Sequence, residues 1–199
     1  MIKVLFQISF ALAVLPCILV DCADAQVIDL STDQAVRKEL AKNSEFESAL
    51  DMLCIHRLKE SRAIIVIGTH ALDRDCEIHG AFVNSVYFSE DSPELSQKAL
   101  AVLGWEKAKK EQREKLALLW AEKGLLAFST VLYTRDKNFD PYRGVTWKGK
   151  KPDFGEFQPP SALVSENGEI VVRMWVARMT RIKTYRRSTF VFTNDGSRK

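Results

Sequence analysis

The sequence lacks the short motifs that identify the common hydrolases and zinc proteases. It contains neither a G-x-S-x-G nucleophile motif nor an H-E-x-x-H zinc motif, and it has only three histidines. No motif therefore indicates a catalytic function. Beyond the first 25 residues it also lacks a hydrophobic run of membrane length. Because a spanning helix needs about 20 apolar residues, we expect no stable membrane insertion of the remaining chain.

Residues 1–25 have the pattern of a secretory signal peptide. Lys3 precedes an apolar run over residues 4–20, and Ala23-Asp24-Ala25 supplies small residues before a cleavage site. The pattern predicts cleavage before Gln26 and a secreted or periplasmic protein. The run approaches the length of a membrane span, so an uncleaved anchor is the alternative.

Acidic residues are scarce in the last third of the chain. Residues 26–134 carry 14 basic and 17 acidic side chains, whereas residues 135–199 carry 14 basic and 7 acidic ones. The basic excess therefore lies entirely in the C-terminal third. Such a local excess favours an anionic partner.

Cysteine is also scarce, and only Cys54 and Cys76 lie beyond the predicted signal peptide. An even number of cysteines in an oxidising compartment predicts a disulfide. A second interpretation stays open, because Cys54, His56, Cys76 and His79 offer the ligand types of a tetrahedral zinc site. Their spacing differs from that of the usual zinc finger, so we expect neither a metal nor another cofactor.

Capping patterns and apolar periodicity predict the first two thirds of the fold. Capping boxes at residues 31–34 and 44–47 predict helices over residues 32–42 and 45–60. Ser92-Pro93 predicts a helix that ends at Gly104, and a further helix should run from Trp105 and end at Gly124. Apolar runs predict strands over residues 63–67, 81–88 and 125–134.

Residues 161–193 have the pattern of an antiparallel sheet. Asn167-Gly168 separates two apolar segments and favours a two-residue hairpin turn, since both residues tolerate positive φ angles. A third strand over residues 182–192 is rich in β-branched and aromatic side chains. We therefore predict one α+β domain over residues 26–199, with N-terminal helices packed on a C-terminal curled antiparallel β-sheet. The layout is similar to that of cystatin-like folds, by analogy only.

Residues 136–160 form a long segment without a regular pattern. Aromatic and basic side chains alternate in it, among them Phe139, Tyr142, Arg143, Trp147, Lys148, Lys150, Lys151, Phe154 and Phe157. Ring faces beside cations fit an anionic small molecule, an acidic glycan or an acidic protein surface. The predicted export argues against nucleic acid. Alternatively, the aromatic side chains pack on the sheet and anchor the loop.

Two hypotheses for function follow. The first is a non-enzymatic binding or accessory protein, and its predicted anionic-partner site comprises Tyr142, Arg143, Trp147, Lys148, Arg178, Arg181 and Lys183. The second is a small hydrolase or lyase, with or without a metal, because imidazoles beside carboxylates suit acid–base catalysis. Its predicted catalytic residues are His70, Asp73, Asp75 and His79. The simpler interpretation of residues 69–80 is a solvated loop held by the disulfide.

Overall fold

The computed structural model describes residues 28–46, 48–70, 76–142, 155–179 and 183–199. The helices are α1 (Asp33–Leu40), α2 (Pro93–Val102) and α3 (Lys110–Trp120), with short 3-10 turns at Ser44–Phe46, Leu50–Met52 and Trp105–Lys107 and a π-helical turn at Ala121–Leu125. The strands are β1 (Leu53–Arg57), β2 (Ile64–His70), β3 (Cys76–Val83), β4 (Val86–Ser89), β5 (Thr130–Leu132), β6 (Ser161–Val164), β7 (Ile170–Met179) and β8 (Lys183–Phe192). The predicted α+β class is confirmed. The predicted signal peptide lies outside the described residues.

Strands β1 to β4 form the first sheet, an antiparallel meander in the order β1-β2-β3-β4. Asn84 and Ser85 connect β3 to β4, and both have positive φ angles, of 49° and 65°. Two consecutive residues with positive φ match the twist of a tight hairpin. The single strand predicted for residues 81–88 is therefore a hairpin, because Asn84 and Ser85 turn the chain back in its middle.

The helix predicted for residues 45–60 is wrong, since this segment contains two 3-10 turns followed by β1. The Arg37 guanidinium of α1 donates hydrogen bonds to the carbonyl oxygens of Leu50 and Leu53. Strand β1 then pairs with β2 along its whole length. These non-local bonds outweigh the helical spacing of the apolar residues, because local propensity is weak beside tertiary pairing.

Helix α1 covers one face of the first sheet. It begins after Thr32, whose hydroxyl oxygen accepts a hydrogen bond from the Ala35 N–H at 3.1 Å, so this predicted helix is confirmed. Val36 and Leu40 from α1 are buried against Ile65 and Phe82 of the sheet. Burying a side chain of this size stabilises the fold by about 1.5–3 kcal/mol.

Helices α2 and α3 lie between the two sheets, and one hydrophobic core includes residues from the helices and from both sheets. The Nε1–H group of Trp120 donates to the buried Ser96 hydroxyl at 3.0 Å, so α3 is joined to α2. Among the described residues, no helix is both long and apolar enough to cross a membrane.

The helix that includes Trp120 does not end at Gly124 as predicted. It continues into a π-helical turn over Ala121–Leu125. A Cβ atom at position 124 would overlap the Trp120 ring, so glycine is required there for packing and not as a left-handed cap. The strand predicted for residues 125–134 is shorter, because the π-helical turn occupies its first residue and β5 begins only at Thr130.

The second sheet is organised around β7. Strand β8 pairs with β7 over ten residues, whereas β6 and β5 lie end to end on the opposite edge of β7. The predicted three-stranded pattern is confirmed. The outer face of this sheet points away from α2 and α3, and it carries the candidate site.

The β6–β7 hairpin lies at the predicted dipeptide, but its turn is longer than predicted. The Gly168 N–H donates to the Ser165 carbonyl oxygen, and the Ser165 N–H donates to the Glu169 carbonyl oxygen. Of the two turn residues, Gly168 has a positive φ of 80° and Asn167 does not. This is a three-residue loop in which glycine takes the left-handed position.

Candidate functional site

Among the described residues, four rings form an aromatic cluster on the outer face of the second sheet: Phe139, Phe157, Trp175 and Tyr185. Phe139 lies 4.8 Å from Trp175, 5.2 Å from Tyr185 and 5.5 Å from Phe157, measured between ring centroids. Trp175 and Tyr185 are buried. Phe139 and Phe157 come from the described ends of the long loop, so these two side chains anchor the loop on the sheet.

An ion pair holds the loop beside the aromatic cluster. The Lys183 ammonium donates to the Asp136 carboxylate and lies 5.5 Å from the centroid of the Tyr185 ring. The hydrogen bond from Lys183, assisted by the Asn138 N–H, lowers the pKa of Asp136 to about 2. The same bond raises the pKa of Lys183. Lys183, a predicted binding residue, therefore has its charge balanced within the chain.

Next to the aromatic cluster is a cleft of about 160 Å³ that we call the arginine cleft. Arg173 of β7 and Arg187 of β8 line it together with Trp175 and with Glu156 from the loop. Both arginines are exposed. Trp175 pairs with Arg187 in the β7–β8 register, and Arg173 lies two residues from Trp175 on the same face. The hairpin thus places two guanidinium groups beside one buried indole.

The basic residues of the last hairpin are divided between its faces. Arg186 pairs with Val176 and lines a different cleft, of about 370 Å³, that also includes Cys76 and Glu77. Arg187 follows Arg186 directly and therefore points to the outer face. The two adjacent arginines do not contribute to one patch.

The other predicted binding residues are placed as follows. Tyr142 is partly buried, and its N–H donates to the Asp140 carboxylate at 2.9 Å. Arg178 belongs to β7. Arg143, Trp147, Lys148 and Arg181 lie outside the described residues.

The sulfur atoms of Cys54 and Cys76 lie at disulfide distance, and their Cα atoms are 6.4 Å apart. These residues belong to β1 and β3, which lie on either side of β2. Strands separated by one intervening strand are normally about 9.5 Å apart, so the sheet is sharply curled here. A β-bulge between Ile67 and Gly68 coincides with the curl, and a side chain at Gly68 would approach the Phe128 ring to 2.6 Å.

The three histidines have different neighbours. His70 Nδ1 lies 3.7 Å from Cys76 Sγ, whereas the His79 ring packs 6.1 Å from Phe46. The His56 ring lies 6.3 Å from Phe128, and burial lowers the pKa of His56. Asp73 and Asp75 lie outside the described residues, so the hydrolase or lyase hypothesis stays a prediction.

Arg173 and Arg187 were missing from the predicted site. The alternation of β7 already indicates that Arg173 and Trp175 share a face. The position of Arg187 depends on the β7–β8 register, which the sequence does not specify because no turn motif precedes β8. No family model, no curated protein and no solved structure matches the chain, so its function has to be inferred from the geometry of these residues.

Proposed function

We propose that the chain is an exported binding protein without catalytic activity, and that it binds a negatively charged partner through the outer face of its second sheet. This proposal is based on the arginine cleft, in which two exposed arginines lie beside a buried tryptophan. A guanidinium group binds carboxylate, sulfate or phosphate through paired charge-assisted hydrogen bonds. Two such groups on paired strands form a rigid binding element.

The size and charge of the arginine cleft favour an extended partner. Its volume of about 160 Å³ is below the roughly 300–1,000 Å³ of typical small-molecule pockets. The cleft therefore fits one charged group of a larger molecule. Glu156 also lines it and offsets part of the positive charge. We propose an acidic glycan, which can contact the cleft and the neighbouring aromatic cluster at several points.

Export is supported by two observations. The first 25 residues have the pattern of a cleaved signal peptide, and Cys54 and Cys76 lie at disulfide distance, an arrangement typical of oxidising compartments. N-terminal sequencing of protein recovered after secretion should begin at Gln26. Recovery of Met1 would indicate a retained anchor and contradict this part of the proposal.

A pair of double variants tests the binding site. Arg173→Ser/Arg187→Ser removes both guanidinium groups, and Lys110→Ser/Lys115→Ser removes the same charge from α3, on the other side of the second sheet. The probe is a heparin hexasaccharide, and calorimetry measures its dissociation constant. Charge-assisted hydrogen bonds contribute about 1.5–3 kcal/mol each, so the arginine variant should bind at least about tenfold more weakly. Equal losses of affinity in the two double variants would show that the hexasaccharide is attracted by the overall positive charge. That result would contradict a binding site at the arginine cleft.

A further inference from the structure

Two sulfur atoms and one ring nitrogen converge on one face of the first sheet. The ligand atoms of Cys54, His70 and Cys76 all lie within 4.8 Å of one another. Cys54 pairs with Gly68, and Cys76 pairs with His70. Gly68 and His70 are two residues apart on β2, so the three side chains point to the same face. The curl of the sheet at Gly68 brings β1 and β3 close enough for both cysteines to reach His70.

The distances in this group agree with metal coordination. In a tetrahedral zinc site, Zn–S bonds of about 2.3 Å and Zn–N bonds of about 2.0–2.1 Å place the sulfur and nitrogen ligands about 3.5 Å apart. His70 Nδ1 and Cys76 Sγ are 3.7 Å apart. One edge of the coordination tetrahedron is therefore formed already. The second sulfur completes the set once the cysteines are reduced, because rotation about the Cα–Cβ bonds then separates the two sulfur atoms.

We propose that Cys54, Cys76 and His70 bind one Zn²⁺ ion in the reduced chain, and that the disulfide and the zinc site are alternative states of these residues. A dithiol reductant supplies two electrons and two protons to break the S–S bond and is itself oxidised to a disulfide. Zinc then displaces the thiol protons as the thiolates coordinate. Three protein ligands leave a fourth position for water.

The choice of His70 distinguishes this site from the ligand set indicated by the sequence. His56 lies against Phe128 and His79 against Phe46, and neither ring belongs to the group around the cysteines. His70 is exposed and the cysteines are half-buried, so solvent and metal have access. The cleft of about 370 Å³ lined by Cys76 and Glu77 opens beside this group.

The test uses the exported chain that begins at Gln26, which lacks Cys17 and Cys22. The chain is either reduced with a phosphine or left oxidised. Zn²⁺ is titrated in competition with a chromophoric chelator, and Co²⁺ is substituted to detect thiolate-to-cobalt charge-transfer absorption. We expect one zinc ion for each reduced chain and none for the oxidised chain. Loss of a residue that only hydrogen-bonds a metal ligand lowers metal affinity about 10–100-fold. Because His70 is a ligand itself in this proposal, His70→Ala should weaken zinc binding at least about tenfold. His56→Ala and His79→Ala are the matched controls and should bind zinc with unchanged affinity.

Thermal unfolding gives a second measurement. Zinc binds only the native reduced chain in this proposal, so it should raise the melting temperature of that form and leave the oxidised form unchanged. The proposal is wrong if the reduced chain binds no zinc, if the oxidised chain binds zinc equally, or if His70→Ala lowers zinc affinity no more than the control variants do. Circular dichroism of each variant confirms that a loss of affinity is not a loss of folding.

Discussion

The ring of Phe139 packs edge-on against Trp175, with centroids 4.8 Å apart and ring planes at 86°. This contact joins the first turn of the long loop to the centre of β7. It also brings the loop to the face that carries the arginine cleft, because Trp175 belongs both to the aromatic cluster and to the cleft. The anchoring of the loop and the proposed binding site thus share one side chain.

Replacing Phe139 should detach this end of the loop. Changing a fully buried phenylalanine to alanine lowers the free energy of unfolding by about 3–5 kcal/mol. Phe139 is partly exposed, so Phe139→Ala should lower the free energy of unfolding by about 2 kcal/mol. Urea denaturation measures this change. The control is Leu163→Ala, since Leu163 is 62% exposed and should change stability by less than about 0.5 kcal/mol. Equal effects would show that Phe139 is not an anchor.

The Lys183–Asp136 ion pair should make stability depend on acid pH. The pKa of Asp136 is about 2 in the folded chain and about 3.9 in an unfolded one, so the unfolded chain takes up the proton first. The contribution of Asp136 is complete above pH about 4 and is lost as pH falls through about 2.

Asp136→Asn tests this dependence. Urea midpoints measured from neutral pH down to pH about 2 should fall less for Asp136→Asn than for the unchanged chain over this interval. Glu111→Gln removes one negative charge from the exposed face of α3 and should follow the unchanged chain. Parallel curves of urea midpoint against pH for all three proteins would contradict a stabilising Lys183–Asp136 ion pair.

Gly124 should tolerate no side chain. An added Cβ would overlap the Trp120 ring, and overpacking of a filled core costs about 1–3 kcal/mol. Gly124→Ala should therefore unfold at lower urea concentration. Gly104→Ala is the control for backbone strain alone, because Gly104 has φ of 97° and no atom within 4 Å of its added Cβ. The prediction fails if Gly124→Ala unfolds at the same urea concentration as the unchanged chain.

Reduction of Cys54 and Cys76 should destabilise the chain. The pair closes a loop with a sequence separation of 22 residues, which corresponds to about 3 kcal/mol in the chain-entropy model. Urea denaturation with and without a phosphine, both with a metal chelator present, measures the difference. An unchanged midpoint, together with free thiols at Cys54 and Cys76 in the unfolded chain before reduction, would show that the two sulfur atoms are not bonded.

The sequence predicts those elements whose signals are local. Ser92 and Pro93 lie next to each other at the start of α2, and the Ser92 hydroxyl accepts a hydrogen bond from the Glu94 N–H, as expected of an N-cap. Alternating apolar residues likewise identify β7 and β8. Such signals depend on contacts between residues that are near each other in sequence.

Prediction from the sequence fails where contacts between residues that are distant in the sequence determine the structure. Leu53–Arg57 has helical spacing with its neighbours but forms a strand, because Arg37 and β2 satisfy its backbone groups. Gly124 resembles a helix cap, yet its role depends on a tryptophan ring one turn away. Arg187 was not among the predicted site residues for the same reason, since it reaches Trp175 only through the β7–β8 register.

We propose that the outer face of the second sheet binds an anionic glycan at the arginine cleft. This binding is measured by titrating isotope-labelled protein with a heparin hexasaccharide and following the amide chemical shifts. We expect saturable shifts concentrated at the amides of Arg173, Trp175, Arg187 and residues 155–158. Shifts confined to α3 or spread evenly over all basic residues would contradict it.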